Sequence, residues 1–230
     1  MESFVVGGAP AKIQYFGHSA FLSVGNFVCG SSLLNQNVLL SAAHCFEEID
    51  GRTQIWVTAG NSNKYRGAVR YGTKVALHGS YDEDTVSNDI ALLYVKKPFV
   101  MGQYIKRVIL MKSPPKSRVA NVAGWGLTDE RKQLNTDWLQ YTEQKLWSRN
   151  ECVRVLHTIP LGSICGGAKF GNSYASAGDS GSALITDGYV QIGIVSFKKP
   201  EISRGLVVYT DVPFYYDWIK KTSQKLVCSY

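Results

Sequence analysis

Short apolar segments recur along the chain, and turn-forming residues separate them. Each segment is rich in Val, Ile, Leu and aromatic residues and is followed by Gly, Asn, Asp or Pro, which is the pattern of half-buried strands. Asp187-Gly188 lies between two such segments and predicts a two-residue hairpin. The segments include 20–24, 54–60, 73–78, 90–95, 118–126, 183–197 and 205–210. Many short strands of this kind predict an antiparallel barrel or sandwich.

Helical signals are few. The sequence Ser-Arg-Asn-Glu at 148–151 fits a capping box that opens a short helix ending near Leu156. A second helix is predicted at the C-terminal end, where Asp211 and Pro213 precede an amphipathic pattern. Its apolar face holds Tyr215, Trp218, Ile219 and Leu226. The class is therefore all-β with a closing helix.

Composition indicates a globular protein. The chain has 230 residues, 45% of them hydrophobic and 19% charged, and no apolar run approaches the ~18–20 residues that span a bilayer. The net charge of +7 is spread over short clusters, so we expect neither a nucleic-acid nor a membrane partner. A solvated surface is the favoured interpretation of these charges. The alternative is attraction to an acidic partner, such as a polyanionic glycan or an acidic protein.

Cysteine usage indicates an oxidising compartment. Five cysteines lie at 29, 45, 152, 165 and 228, and none has the C-x-x-C spacing of a metal site. Two pairs are 16 and 13 residues apart, for which short disulfide loops are the simplest interpretation. A secreted, extracellular protein follows, although no signal peptide begins the sequence.

Three separated stretches carry groups suited to acyl transfer. His44 ends an apolar strand signal, Asp89 opens another, and Ser180 lies within a Gly-Asp-Ser-Gly turn. Nucleophilic catalysis needs a hydroxyl, a base that titrates near neutrality, and a carboxylate that orients the base. The N–H groups of Gly178 and Ser180 could form an oxyanion hole. Each stretch alone also fits a structural role, as a disulfide-flanked turn, a strand cap or a plain turn.

Together these stretches resemble the chymotrypsin-like serine proteases. His44, Asp89 45 residues later and Ser180 a further 91 residues on follow that family's order. Further matching motifs are VVGG at 5–8, VAGWG at 122–126, GIVSF at 193–197 and VVYTDV at 207–212. The resemblance implies two perpendicular six-stranded β-barrels with the triad in the cleft between them. It also implies two disulfides, which are Cys29–Cys45 and Cys152–Cys165, with Cys228 unpaired.

The same resemblance divides the chain into three parts. Residues 5–112 are expected to form the N-terminal barrel that carries His44 and Asp89, and residues 118–211 the C-terminal barrel that carries Ser180. The C-terminal helix and tail take 212–230. The proline-containing stretch between Lys112 and Ser117 is the best candidate for the connection between the barrels.

Three residues depart from the family pattern at the primary specificity pocket. Tyr174 stands six residues before Ser180, where the family places the pocket base. A phenol there brings a large apolar body into a slot that must admit a substrate side chain. Val207 replaces a glycine of the pocket wall, and Lys198 replaces a glycine at the entrance. The alternative is a reshaped but open pocket with unusual specificity.

Two more departures concern the frame around the pocket. The family's cysteine four residues before the nucleophile is Ser176 here, and the loop 198–205 has no cysteine to bridge to it. Such a bridge typically contributes ~2–4 kcal/mol. In active family members a free amine at the position of Val5 pairs with the acid at the position of Asp179. Val5 follows Phe4 in this sequence, so its nitrogen is in a peptide bond and the oxyanion hole is expected to be zymogen-like.

This combination of motifs and departures resembles the mite group 3 allergen proteases and the scabies mite inactivated protease paralogues. The resemblance implies a secreted pseudoprotease that binds host or defence proteins, complement components among them. The alternative is an active or zymogen-form serine endopeptidase. A monomer without cofactor is expected. No metal site is expected either, because the stretch 60–74 holds no carboxylate for calcium and His18, His78 and His157 are not clustered.

Overall fold

The first half of the chain folds into a closed antiparallel barrel. The structure is a computed structural model that describes residues 5–168 and 173–228. The order of its six strands around the barrel is β2-β3-β4-β7-β6-β5. The bounds are β2 Ser19–Val24, β3 Phe27–Leu33, β4 Val38–Ser41, β5 Ile55–Ala59, β6 Ala68–Leu77 and β7 Ala91–Val95. This confirms the first of the two barrels that the family resemblance implies.

The second half forms the other barrel, whose strand order is β9-β10-β13-β12-β11-β8. Pairing of β8 with β9 closes this barrel. The bounds are β8 Val119–Gly124, β9 Gln140–Trp147, β10 Ser163–Ala168, β11 Ala183–Thr186, β12 Val190–Lys199 and β13 Ser203–Asp211. A short strand β1, Ala9–Pro10, adds to β9. The first residues of the chain, assigned by sequence to the N-terminal barrel, therefore pair with the C-terminal one.

The core of the first barrel explains why apolar runs became strands there. All four residues of β4 are buried, and so are four of the five of β7. The two strands pair antiparallel with Leu39 opposite Leu93 and Leu40 opposite Leu92. Each of these leucines is fully buried, and burial of such a side chain contributes about 1.5–3 kcal/mol.

Both predicted helices are present. Helix α1, Arg149–Leu156, begins with the predicted capping box, in which the Ser148 hydroxyl accepts from Glu151 N–H and the Glu151 carboxylate accepts from Ser148 N–H. Helix α2, Tyr216–Cys228, buries Ile219 and Leu226 against the core of the first barrel. Among the described residues, no helix is long and apolar enough to cross a membrane.

The Asp187-Gly188 hairpin is present, but its connection is longer than predicted. Strands β11 and β12 pair antiparallel and are joined by a three-residue turn, Asp187–Tyr189. Gly188 has a φ of 73° and Tyr189 one of 66°. The two-residue prediction was wrong because Tyr189 also takes the left-handed conformation, which a non-glycine residue adopts rarely.

One disulfide closes a short loop in each barrel. Cys29 is bonded to Cys45 and Cys152 to Cys165, which confirms both predicted pairings. Cys228 is a free, exposed cysteine at the end of α2.

Candidate active site

His44 and Asp89 meet where two paired strands end. His44 follows β4 and begins a short 3-10 turn, while Asp89 lies two residues before β7. Because Ser41 of β4 is opposite Ala91 of β7, the pairing carries both residues to the same rim of the barrel. His44 Nδ1 is 2.9 Å from Asp89 Oδ2, and the His44 backbone N–H donates to Asp89 Oδ1 at 3.0 Å. One carboxylate therefore holds both the imidazole ring and the backbone of His44.

The second barrel supplies further partners to Asp89. The Ser196 hydroxyl donates to Asp89 Oδ2 at 2.5 Å, and the Thr210 hydroxyl donates to the Asp89 carbonyl at 2.7 Å. Both donors lie on strands of the second barrel, β12 and β13. The carboxylate thus joins the two barrels at the point where sequence analysis placed the catalytic cleft.

The electrostatics of this pair suit a base. Burial raises the pKa of Asp89, but its hydrogen bond with His44, the charge of His44 and the bond from Ser196 outweigh burial and hold that pKa below 3.8. Burial lowers the pKa of His44, but the hydrogen bond and charge of Asp89 outweigh it, so the imidazole titrates above its ordinary 6.5. The His44 side chain is 25% exposed, so its ring can reach a reacting group.

Ser180 lies in a tight loop that contacts the first barrel. Its carbonyl accepts from the Gly30 N–H at 2.6 Å. A Cβ on Gly181 would lie 2.2 Å from Ser41 Oγ and 3.3 Å from Ala42 N, so the loop packs directly against the residues that precede His44. Only glycine fits there. The loop therefore brings Ser180 to the rim that holds the His44–Asp89 pair.

The loop before Ser180 also depends on glycine. Gly178 has a φ of 90°, and a Cβ on it would lie 3.0 Å from Gly126 Cα. The adjoining Asp179 carboxylate is buried and accepts from the backbone N–H groups of Gly126 and Ser176, each at 2.9 Å. Burial raises the pKa of Asp179 to about 6, more than these two bonds lower it. Val5, its predicted activation partner, is itself buried.

Tyr174 lies inside the second barrel rather than in solvent. It is 7% exposed and belongs to the buried cluster that includes Val207 and Tyr209. A Cβ on Gly205 would lie 3.8 Å from Tyr174 Cδ1, so the ring stands against the start of β13. The Lys198 ammonium lies over the ring, 4.4 Å from its centroid.

Glu130 gathers the polar groups around that ring. Its carboxylate forms an ion pair with Lys198 Nζ and accepts from the Ser176 hydroxyl at 2.5 Å and the Tyr174 hydroxyl at 3.3 Å. Burial raises the pKa of Glu130, but the bonds from Lys198 and Ser176 outweigh it, so the carboxyl titrates below 4.5. We name these four residues, Tyr174, Lys198, Glu130 and Ser176, the Glu130 network.

The chain matches one family along nearly its whole length. The trypsin family model covers residues 5–219. The chain belongs to the trypsin family. Trypsin I-P1 of Gallus gallus is 31% identical over 228 residues, which cover 95% of this chain and 88% of that protein. Trypsin-1 of Salmo salar is 29% identical over 223 residues, covering 95% and 90%.

Two solved structures share the fold of this chain. HL collagenase superposes with a TM-score of 0.85 at 26% identity, covering 95% of this chain and 98% of that one. The scabies mite inactivated protease paralogue S-D1 superposes with a TM-score of 0.86, covering 95% of this chain and 97% of that one. Its sequence is 21% identical, so this likeness shows the fold alone.

The three residues that sequence analysis assigned to the pocket are neighbours in this trypsin-family chain. Lys198 and Val207 are opposite each other on β12 and β13, and Tyr174 contacts the cluster that holds Val207. Val207 is fully buried, and the Lys198 side chain is 13% exposed because it folds inward to Glu130. The three residues named from sequence thus lie together around one site.

Glu130 is the residue that sequence analysis missed. Sequence analysis expected the segments of Ser176 and Lys198 to be untied, because neither holds a cysteine, whereas the Glu130 carboxylate bonds both Ser176 and Lys198. No local motif marks Glu130, since it lies in a polar turn. The one signal in the sequence was Lys198, because a lysine directed into a pocket needs a nearby carboxylate.

The predicted absence of a metal site stays a prediction. The ligand atoms of Cys29, His44 and Cys45 lie within 4.8 Å of one another. Both sulfur atoms are in one disulfide, so neither is the thiolate that binds transition metals.

Replacing Glu130 with Gln should loosen the pocket walls. Lys198 would then hold a charge at 13% exposure without an anion, and loss of one partner of a buried charged group costs about 1–3 kcal/mol. We expect urea unfolding to show that loss of stability. The exposed Glu48→Gln variant is the control. Equal stabilities of the two variants would mean that the Glu130 network contributes nothing.

Proposed function

We propose that this trypsin-family chain is a pseudoprotease that acts by binding protein partners. The observation that carries the proposal is Tyr174, a phenol 7% exposed at the base of the specificity pocket. The Lys198 ammonium and the Glu130 carboxylate hold that ring in place. A substrate side chain would have to displace all three groups before its scissile bond could approach Ser180.

An open cavity beside the oxyanion loop supports binding. A cavity of 620 Å³ adjoins Gly178, and its walls carry the aromatic side chains of Phe27, Trp56, Tyr65 and Trp125. Aromatic side chains dominate the energetics of protein interfaces. A partner segment could therefore lie in the cleft next to Ser180 without entering the closed pocket. Host or defence proteins, with complement components as one candidate, are the partner class that the likeness to the mite paralogues suggests.

Secretion is part of the same proposal. Two disulfides and trypsin relatives support it, because disulfides persist in oxidising compartments.

A specific observation favours a second candidate, a serine endopeptidase with unusual specificity or in zymogen form. His44 and Asp89 keep two hydrogen bonds, at 2.9 and 3.0 Å, and the pKa of His44 is raised. The buried Asp179 bonds two backbone N–H groups, and a free amine at Val5 would give it a cation.

A fluorophosphonate probe and chromogenic peptides separate these candidates. Both would be applied to the chain as it stands and to a chain trimmed to begin at Val5. A pseudoprotease should cleave no peptide in either form, because the closed pocket excludes the substrate side chain. In the untrimmed form Ser180 should label at least about 100-fold more slowly than a trypsin standard, the scale of one lost oxyanion-hole donor. Ser180→Ala gives the background.

Each alternative has its own signature. Labelling and cleavage before trimming would mean an active endopeptidase. A rise of about 100-fold in labelling, with peptide cleavage, only after trimming would mean a zymogen.

A further inference from the structure

Positive charge is concentrated in one segment of the chain. Between Asp89 and Asp129 there is no acidic residue, while seven are basic, which equals the whole net charge of +7. The seven are Lys96, Lys97, Lys106, Arg107, Lys112, Lys116 and Arg118. The segment leaves β7 and runs to β8, so it connects the two barrels. Sequence analysis favoured solvated surface for these clusters and left attraction to an acidic partner as the alternative.

The structure brings part of this segment against the C-terminal helix. One cavity of 460 Å³ is lined by Met101 and Arg107 of the segment, by Val227 of α2 and by the loop 35–37. The Asn37 side chain donates to the Lys96 carbonyl at 3.3 Å, and Lys112 forms an ion pair with Asp217 of α2 at 2.5 Å. The helix, the loop and the connecting segment therefore share one surface.

Helix α2 adds three exposed lysines to that surface, at 220, 221 and 225. Lys221 and Lys225 are one turn apart, about 6 Å along the axis. We call the whole set the basic face: Lys96, Lys97, Arg107, Lys112, Lys220, Lys221 and Lys225, all exposed. Within the described part of the chain, Lys112 with Asp217 is the one ion pair that these cations make.

We propose that the basic face binds a sulfated polysaccharide. Its cations are all exposed and belong to the connecting segment and helix α2, so an extended polyanion can contact many of them at once. Such binding gains free energy because counterions are released. The exposed side-chain amides of Asn35 and Gln36 border the 460 Å³ cavity, where they can bond sugar hydroxyls. This function is independent of whether Ser180 reacts.

The apolar side chains in this region argue against a nucleic acid. Val100, Met111 and Val227 are 79%, 36% and 40% exposed, and none is aromatic. The exposed ring of Tyr104 in the same segment lines a different cavity, with Ala11 and Trp138. Single-stranded nucleic acids bind by stacking bases on aromatic side chains. A flexible sulfated chain needs no such stacking.

Calorimetric titration of the full chain with heparin, from about 0.05 to 0.2 M salt, tests the proposal. We expect binding at physiological salt, with affinity falling steeply as salt rises. A Lys97→Gln, Arg107→Gln, Lys221→Gln variant should bind at least about tenfold more weakly and with a shallower salt dependence, because about three contacts are lost. The charge-preserving Lys97→Arg, Arg107→Lys, Lys221→Arg variant should retain binding.

The matched control removes three exposed cations from elsewhere on the surface, Lys12→Gln, Arg52→Gln and Lys132→Gln. It lowers the net charge equally and should stay within about twofold of the unaltered chain, since long-range effects are screened at this salt. The proposal would be overturned by equal weakening in both triple variants or by no heparin binding at physiological salt. Tighter binding of duplex DNA or of an acidic peptide than of heparin would also overturn it.

Discussion

A Tyr174→Gly variant should be destabilised and should still fail to hydrolyse peptides. Tyr174 is 7% exposed within a buried cluster, and removal of a large aromatic side chain from a core costs about 3–5 kcal/mol. Lys198 and Val207 would still narrow the pocket, and Glu130 alone would hold its walls. The positioning of the scissile bond, worth up to about 7–11 kcal/mol of barrier, would therefore not be recovered.

The measurement pairs urea unfolding with assays on chromogenic peptides that have basic, aromatic or small side chains at the cleaved position. Tyr174→Phe is the matched control, because it keeps the ring under Lys198 and loses only the hydroxyl that bonds Glu130 at 3.3 Å. It should lose about 0.5–1.5 kcal/mol. Robust turnover of any one peptide class by Tyr174→Gly would mean that Tyr174 alone blocks an otherwise active protease.

Asp179 should make the protein less stable as the pH rises from about 4 to about 7. Burial raises the pKa of this carboxyl from 3.8 to about 6, so the folded state holds the proton more tightly than the unfolded state does. Its contribution is fully present below pH 3.8 and is lost as the pH rises through about 6. A difference of about two pKa units corresponds to about 3 kcal/mol.

The difference in the free energy of unfolding between the unaltered chain and Asp179→Asn isolates this contribution. The other titrating groups are the same in both proteins, so their effects cancel. We expect the free energy of unfolding of the unaltered chain to fall by about 3 kcal/mol relative to Asp179→Asn between these pH values. The exposed Asp84→Asn variant controls for the loss of a carboxylate. A pH-independent difference between the chain and Asp179→Asn would contradict a raised pKa.

Strands with strong apolar patterns were predictable, whereas weakly patterned ones were not. The segments 90–95 and 205–210 appear as β7 and β13, because each buries most of its side chains in a core. Strands β9 and β10, Gln140–Trp147 and Ser163–Ala168, were not among the segments named from sequence. Each is polar or glycine-containing, and its place depends on pairing between distant segments: β9 pairs with β1, β8 and β10, and β10 pairs with β9 and β13.

The sequence by itself determined the family and, through the family resemblance, both disulfide pairings, and it named Tyr174, Lys198 and Val207 but not Glu130. It could do so because glycine turns and the His44, Asp89 and Ser180 motifs, which carry the resemblance, are local and keep a fixed order. The tertiary structure alone decided what holds Tyr174 in place. Glu130 and Lys198 are 68 residues apart and meet only when the second barrel closes. An ion pair of this kind depends on distance in space, and no local pattern records it.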